Sequence, residues 1–202
     1  MATNLKSLAK DTAIYGVSSI FGRFLNYLLV PLYTATLSAA SGGYGVITNL
    51  YAWTALLLVI LTYGMETTFF RFANKADEDA EKVYSTTLVS VGATALMFVA
   101  AVVGFLPSIS SALGYADHQS WVVSTAIIVA LDAFQAIPFA YLRYKKQPIK
   151  FAGLKLAFIF INILLNLLYF LILPVMKCNL FGIYDDHFTL NVGYVFYINL
   201  VT

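Results

Sequence analysis

The chain has 202 residues, of which 60% are hydrophobic and 11% are charged, and its formal net charge at pH 7 is +2. Soluble domains carry about 25% charged residues, so this composition excludes a soluble domain and predicts a helical membrane protein. The single cysteine, Cys178, excludes an internal disulfide.

The sequence contains no recognisable catalytic, metal-binding or phosphate-binding motif. His118 and His187 are far apart and have no companion ligands, so we expect no metal site. There is no glycine-rich phosphate loop, nucleophile elbow or zinc-protease pattern. We therefore expect no enzymatic activity, no cofactor and no nucleic-acid partner.

Six apolar segments follow one another along the chain. A bilayer core about 30 Å thick needs about 20 helical residues, and the first five segments are long enough to cross it. The predicted fold is all-α: a polytopic membrane helix bundle with five full spans and a truncated sixth. The predicted spans are residues 12–37, 46–70, 85–106, 121–142 and 151–173, followed by 190–202.

The connections between spans are short. Residues 71–84 form the most charged stretch, and we predict a water-exposed helix there. Pro107 and Pro174 are expected to end the third and fifth spans, because proline lacks the N–H that a helix interior needs. Pro148 is expected to separate the fourth span from the fifth.

The distribution of basic residues predicts the orientation. Cytoplasmic loops of membrane proteins are enriched in lysine and arginine. If the amino terminus is cytoplasmic, the opposite side carries only Lys177, and Arg23 lies within the membrane. The cytoplasmic side then holds Lys6, Lys10, Arg71, Lys75, Lys82, Arg143, Lys145, Lys146, Lys150 and Lys155.

The first span has a charged residue near its middle, Arg23. A charge at that depth costs at least about 2.5–3.5 kcal/mol on insertion scales, so the side chain should face protein or water. On an ideal helix Arg23 shares a face with Ser19 and Tyr27, and Asn26 lies at the edge of that face. This face is predicted to line a polar path. The alternative is that Arg23 reaches the interface or only joins helices.

The fourth span contains Asp132. Arg23 and Asp132 are both predicted to lie about 16–20 Å below the cytoplasmic interface, so they could meet. Asp132 also shares a helix face with Gln135 and Arg143, and Pro138 offers a kink. An Arg23–Asp132 pair that breaks when substrate or a proton arrives, and a permanent structural pair, are both open hypotheses.

Two further polar groups lie in spans. Glu66 is predicted to share a face with Thr62 and to line the same polar space as the first span. A local Glu66–Arg71 ion pair, with Gly64 bending the helix, is the alternative. The fifth span carries a stripe of Lys155, Asn162, Asn166 and Tyr169. Asparagine inside a bilayer more often joins helices by hydrogen bonds than binds ligand.

Three stretches carry a resemblance to a known family. They are SSIFGRFLNYLLVPLYT in the first span, GGYGVITNLYAW after it, and YGMETTFFRFANK at the end of the second span. Together they resemble the amino-terminal pattern of the polysaccharide flippases in the multidrug/oligosaccharidyl-lipid/polysaccharide superfamily. The resemblance covers about the first 85 residues; beyond them it depends mainly on the order of the spans.

The resemblance implies a transporter with two lobes of at least six helices, like the multidrug exporters of the same superfamily. This chain looks like the amino-terminal lobe, with the carboxy-terminal lobe missing. The implied activity is movement of a lipid-linked oligosaccharide, of the undecaprenyl pyrophosphate type, across a bacterial cytoplasmic membrane by alternating access. The lipids of that membrane are the other expected partners. The candidate substrate-binding residues are Arg23, Asn26, Tyr27, Glu66, Arg71, Asp132, Gln135 and Arg143.

Two other functions compete with this one. A cation-coupled multidrug exporter would use Glu66 and Asp132 to attract cationic drugs, although Arg23 argues against it. A membrane enzyme acting on lipid-linked sugars would need carboxylates or histidines in an interfacial loop, and Asp185, Asp186 and His187 form such a cluster.

Overall fold

A computed structural model describes residues 5–37, 43–75, 77–176 and 191–202. Within these ranges, the side chains of residues 5–9, 11, 22, 23, 26 and 176 are not described. The described part of the chain is helical throughout, apart from short turns, and contains no strand. This confirms the all-α class.

Ten α-helices follow in order along the described residues. They are α1 (Leu5–Tyr27), α2 (Leu29–Thr36), α3 (Gly43–Thr62), α4 (Met65–Ala73), α5 (Ala80–Gly104), α6 (Leu106–Ala112), α7 (Gln119–Tyr144), α8 (Pro148–Leu167), α9 (Leu173–Met176) and α10 (Gly193–Val201). A 3₁₀ turn, Ala116–His118, precedes α7, and a π-helical turn, Leu168–Ile172, joins α8 to α9.

Four helical stretches in the described residues are long and apolar enough to cross a membrane, which is consistent with a multi-pass membrane protein. They are Gly43–Ala73, Ala80–Gly104, Ala116–Tyr144 and Pro148–Val175. These four correspond to the predicted second to fifth spans. The first predicted span, 12–37, is divided between α1 and α2 at Leu28, and α10 has nine residues. The first and sixth spans therefore stay predictions.

The helix predicted over residues 71–84 is wrong. α4 ends at Ala73 and α5 begins at Ala80, with a turn between them. The carboxylate of Asp79 accepts a hydrogen bond from the backbone N–H of Glu81 at 2.9 Å. An aspartate in this position caps a helix and satisfies one of its unpaired N–H groups. The acidic residues therefore start the third span instead of forming a helix of their own.

The prolines act differently from one another. Pro148 is the first residue of α8, and Pro107 lies in the first turn of α6, where a missing N–H costs nothing. Pro174 was expected to end the fifth span, and this prediction is wrong, because α9 continues to Met176. The π-helical turn before Pro174 widens the helix, which relieves the clash between a proline ring and the preceding turn.

The chain divides into two compact units. Unit 1 comprises residues 1–48 and 148–202, and unit 2 comprises residues 49–147. In unit 1, α1 packs along α8, and the rings of Tyr15 and Phe151 meet edge to face at 5.1 Å. In unit 2, α5 packs along α7, and α4 packs against both. The unit 2 core includes Val91, Val129 and Ile137, all buried.

Candidate functional site

The second predicted span is interrupted between α3 and α4. Gly64 has φ +72°, and Tyr63 beside it has φ +30°. Side-chain-bearing residues disfavour this left-handed region, so the glycine is the residue that allows the break. The break resets the helical phase, so the continuous face predicted to join Glu66 with Thr62 is not present. Glu66 instead lies in the first turn of the short helix α4.

Glu66 forms an ion pair with Arg143, which lies 77 residues later, in the last turn of α7. The Arg143 Nη2 donates a hydrogen bond to Glu66 Oε1. The Glu66 side chain is 40% exposed, and the Arg143 side chain is 33% exposed. The Glu66–Arg71 ion pair that was one of the two alternatives is therefore wrong, because the observed pair joins α4 to α7. Arg71 is exposed on α4.

An aromatic cluster supports this ion pair. It consists of Phe69, Phe70, Tyr84, Tyr141 and Tyr144. Phe69 is completely buried at its centre, and the Arg143 guanidinium lies 5.5 Å from the centroid of the Phe70 ring. A guanidinium over an aromatic face gains a favourable cation–π interaction. The Phe70 ring therefore adds a favourable contact to the arginine side chain.

The sequence did not reveal this cluster. In the cluster, the Tyr144 hydroxyl donates a hydrogen bond to the Ala73 carbonyl at 2.9 Å. The available signal was spacing: Tyr141 and Tyr144 lie three residues apart on one helix face, and two phenylalanines follow Glu66 closely. What spacing could not show is that the two segments meet.

A second ion pair lies beside the cluster. The Nζ of Lys145 is 3.8 Å from Glu81 Oε1 and 5.3 Å from the Tyr141 ring centroid. A hydrogen bond with Tyr141 raises the pKa of Lys145 above its ordinary value, and the charge of Glu81 acts in the same direction. Lys145 is therefore protonated at neutral pH. Because this pair is largely exposed, it contributes little to stability.

The polar side chains of α7 differ in exposure along the helix. Thr125 is buried, and its hydroxyl donates to the Trp121 carbonyl at 2.8 Å. Asp132 is exposed, whereas Gln135 is half-buried. Among the eight predicted site residues, the described side chains bring only Glu66 and Arg143 together.

The residues predicted on the first span are only partly visible. The side chains of Arg23 and Asn26 lie outside the described residues, although α1 includes both positions. Tyr27, at the end of α1, is 70% exposed. The hypothesis of an Arg23–Asp132 pair also connects unit 1 with unit 2, and it stays a prediction.

Unit 1 contains a network of side-chain amides, which we call the amide network. Tyr33 donates to Asn166 Oδ1 at 2.7 Å, and Asn166 Nδ2 donates to the carbonyl of Asn162 at 2.9 Å. The Asn162 Nδ2 donates in turn to Asn199 Oδ1 at 2.7 Å and to Thr202 Oγ1 at 3.0 Å. The network joins α2, α8 and the end of α10. Asn162 and Asn166 thus join helices, as the sequence favoured.

The described residues contain no candidate metal-binding site. No group of three or more histidine, cysteine or acidic side chains in that part of the chain could hold a metal ion. The Asp185–Asp186–His187 cluster, which an enzyme would need, lies outside the described residues.

Comparisons with family models, with curated proteins and with solved structures each give no match.

Proposed function

We propose that this chain forms the amino-terminal lobe of a transporter for a lipid-linked oligosaccharide. The lobe would move an undecaprenyl pyrophosphate-type carrier from the cytoplasmic to the outer leaflet of a bacterial cytoplasmic membrane. The supporting observation is Arg23, a guanidinium in the middle of the first apolar segment, on a helix face with small and polar residues. The family resemblance of the first 85 residues or so agrees with it.

The chemistry of the carrier explains why this arginine matters. A pyrophosphate loses its water shell when it enters the bilayer, and it needs a cation to replace that shell. A guanidinium is suited to this role because it is always charged and forms paired hydrogen bonds with phosphate oxygens. Movement of the lipid breaks no covalent bond, so no catalytic residue is required.

The ion pair of unit 2 refines the roles of the other basic residues. Arg143 was expected to attract anionic head groups, but its charge is balanced by Glu66. We assign that role to Arg71, which is exposed and lies in the last turn of α4. Lys75 lies just beyond it, with its Nζ 4.3 Å from the Phe72 ring centroid. With the amino terminus cytoplasmic, both residues lie where a head group first arrives.

The Glu66–Arg143 pair then has a mechanical role. It joins α4 to α7 directly after the Tyr63–Gly64 break, where the backbone can turn most easily. Alternating access requires helices to move as rigid bodies about a few such points. In this proposal α4 moves relative to α3 at Gly64, and the ion pair stabilises one of the two positions.

The multidrug exporter remains the second candidate because of one observation. Asp132 is exposed within the stretch Ala116–Tyr144, which is long and apolar enough to cross a membrane. A carboxylate at membrane depth is costly and is often functional, and it would attract a cationic drug instead of a pyrophosphate.

Ligand binding distinguishes the two candidates. The purified chain in lipid nanodiscs is titrated with a fluorescent undecaprenyl pyrophosphate-linked oligosaccharide, and separately with a lipophilic cationic dye. We expect the pyrophosphate lipid to bind, and Arg23→Gln to weaken its binding about 10–100-fold, the range for loss of a charge-assisted hydrogen bond.

A matched control removes the same charge elsewhere. Lys150→Gln neutralises an exposed basic residue in the first turn of α8, and we expect it to change binding less than about twofold because exposed charges are screened by salt. If only the cationic dye binds, and Asp132→Asn abolishes that binding, the flippase proposal is wrong and the exporter is favoured.

A further inference from the structure

Unit 2 contains an apolar cavity at the end opposite to the Glu66–Arg143 pair. Its volume is about 320 Å³. Side chains from four helices, α3, α5, α6 and α7, form its wall. The last turns of α5 and the first turns of α7 contribute to it. Representative lining residues are Leu50, Trp53, Phe98, Ile109, Ala112 and Ala126.

The cavity arises from the way the chain turns after the third predicted span. α5 ends at Gly104, and the short helix α6 begins two residues later. Phe105, with φ −108° and ψ 20°, separates the two helices, and α6 contributes Ile109 and Ala112 to the wall of the cavity. Leu50, Val102 and Val122 at its wall are nearly fully buried.

The wall offers almost nothing to water. Polar groups in the lining are limited to the Trp53 indole N–H and the Thr125 hydroxyl, and the hydroxyl donates its proton to the Trp121 carbonyl. A water molecule needs two to four polar partners, and apolar cavities of this kind stay dry and accept apolar ligands instead. The content of the cavity must therefore be hydrocarbon or empty space.

The surroundings point to hydrocarbon from the bilayer. The wall belongs to three of the stretches that are long and apolar enough to cross a membrane. Trp53, which lines the cavity, is 44% exposed and Ala112 is also exposed, so the wall continues onto the outer surface of unit 2. An opening at that surface would meet acyl chains, which could enter without leaving an apolar environment.

The residues near one end of the cavity have the character of a membrane interface. The Tyr115 hydroxyl donates to Asn49 Oδ1 at 3.3 Å, and the ring of His118 stacks on Trp121 at 3.9 Å. Tyrosine and tryptophan are enriched at the level of lipid head groups. Burial raises the pKa of Tyr115, so its hydroxyl stays neutral. A lipid with its head group at this level would have its chain beside the cavity.

We propose that this cavity binds one acyl chain of a membrane phospholipid. Its volume of about 320 Å³ is large enough for the terminal part of a fatty acyl chain. We assign the occupant to a phospholipid because phospholipid acyl chains form the hydrocarbon core that surrounds membrane-spanning helices. The site does not depend on the proposed transport function.

Photolabelling tests the site in the full chain. The chain is reconstituted in vesicles of phosphatidylethanolamine and phosphatidylglycerol that contain a phosphatidylglycerol with a diazirine near the methyl end of one acyl chain. After illumination, labelled residues are located by mass spectrometry. We expect labels on the cavity-lining segments of α3, α5 and α6. Labels confined to other surfaces would overturn the proposal.

Filling the cavity provides the matched comparison. Ala126→Phe and Ala112→Phe each place a ring in the cavity, the second at its exposed edge, where the substitution disturbs folding least. Ala93→Phe adds the same ring on an exposed position of α5. We expect labelling of Leu50 and Phe98 to fall about tenfold in the cavity variants, the factor for about two methylenes losing their burial. Unchanged labelling in folded Ala112→Phe would overturn the proposal.

Competition identifies the source of the chain. Excess unlabelled phosphatidylglycerol should reduce labelling of the cavity, whereas the same amount of undecaprenyl phosphate should not. If undecaprenyl phosphate alone competes, the cavity is a polyprenyl site and the assignment to a phospholipid is wrong.

Discussion

The two units place polar side chains in apolar surroundings in different ways. In unit 1 the amide network is neutral and buried: Asn166 is fully buried, and both its oxygen and its nitrogen have partners. In unit 2 the Glu66–Arg143 pair is charged and more than a third exposed on the glutamate side. A buried neutral network fixes helices, because each broken bond leaves a polar group without water.

An ion pair that is partly exposed behaves differently. Its partners can exchange with water or with another charge at low cost, because the surrounding dielectric is higher. The comparison therefore assigns a fixed scaffold to unit 1 and an exchangeable contact to unit 2. The substitutions below test this assignment, beginning with the largest expected effect.

Phe69→Ala should cause the largest loss of stability. Phe69 is completely buried in the aromatic cluster, and truncation of such a ring costs about 3–5 kcal/mol. Unfolding in detergent by increasing denaturant measures the change. Phe72→Ala on the same helix is the control, because Phe72 is exposed, and it should cost less than about 1 kcal/mol. Equal losses would show that the cluster is not the core of this end of unit 2.

Asn166→Ala should destabilise unit 1 by about 2 kcal/mol, because it removes a buried amide that accepts from Tyr33 and donates to the Asn162 carbonyl. The same unfolding experiment measures the effect. Tyr33→Phe removes the interhelical bond from its other side and should cost about 0.6–1.7 kcal/mol. The double variant should cost less than the sum of the two. Strict additivity would mean that the network does not couple α2 with α8.

Gly64→Ala should cost about 1–2 kcal/mol, because an alanine at φ +72° is strained. An added Cβ meets no atom within 4 Å, so the cost is conformational alone. The matched control is Gly45→Ala inside α3, which also has open space and should be neutral or stabilising by about 0.5–1 kcal/mol. Differential unfolding of the two variants measures the contrast, and equal effects would remove the case for a break at Gly64.

The two ion pairs of unit 2 should show the smallest effects. A double-mutant cycle with Glu66→Gln and Arg143→Gln should give a coupling of about 1 kcal/mol at low salt, which falls as salt is added. The cycle for Glu81 and Lys145 should give less than about 0.5 kcal/mol, because Glu81 is 75% exposed. A coupling of several kcal/mol between Glu66 and Arg143 would show a locked contact, contrary to the comparison.

Periodicity predicted much of this structure. Long apolar segments gave the second to fifth helical stretches, and Pro148 and Gly64 marked real interruptions. Predictions from charged residues and from proline were less reliable, because a helix cap and a π-helical turn changed the local structure. The cap at Asp79 divided the charged stretch, and the π-helical turn carried the chain past Pro174.

The partner of Glu66 could not be predicted from an ideal helix. The phase of a helix is lost at a left-handed residue, so residues counted across Gly64 no longer share a face. The partner considered as an alternative, Arg71, was the nearest cation in sequence. The observed partner, Arg143, lies 77 residues away, and only the packing of α4 on α7 brings it near.

Solvent access at Arg23 is the most direct measurement of whether the first helix lines a polar path. With Cys178→Ser as background, Arg23→Cys and Phe21→Cys are exposed in proteoliposomes to a water-soluble, membrane-impermeant thiol reagent. Only a hydrated thiolate reacts readily, so we predict that Arg23→Cys reacts at least about tenfold faster than Phe21→Cys. Equal rates, or faster reaction at position 21, would contradict an aqueous face on this helix and with it the proposed transport path.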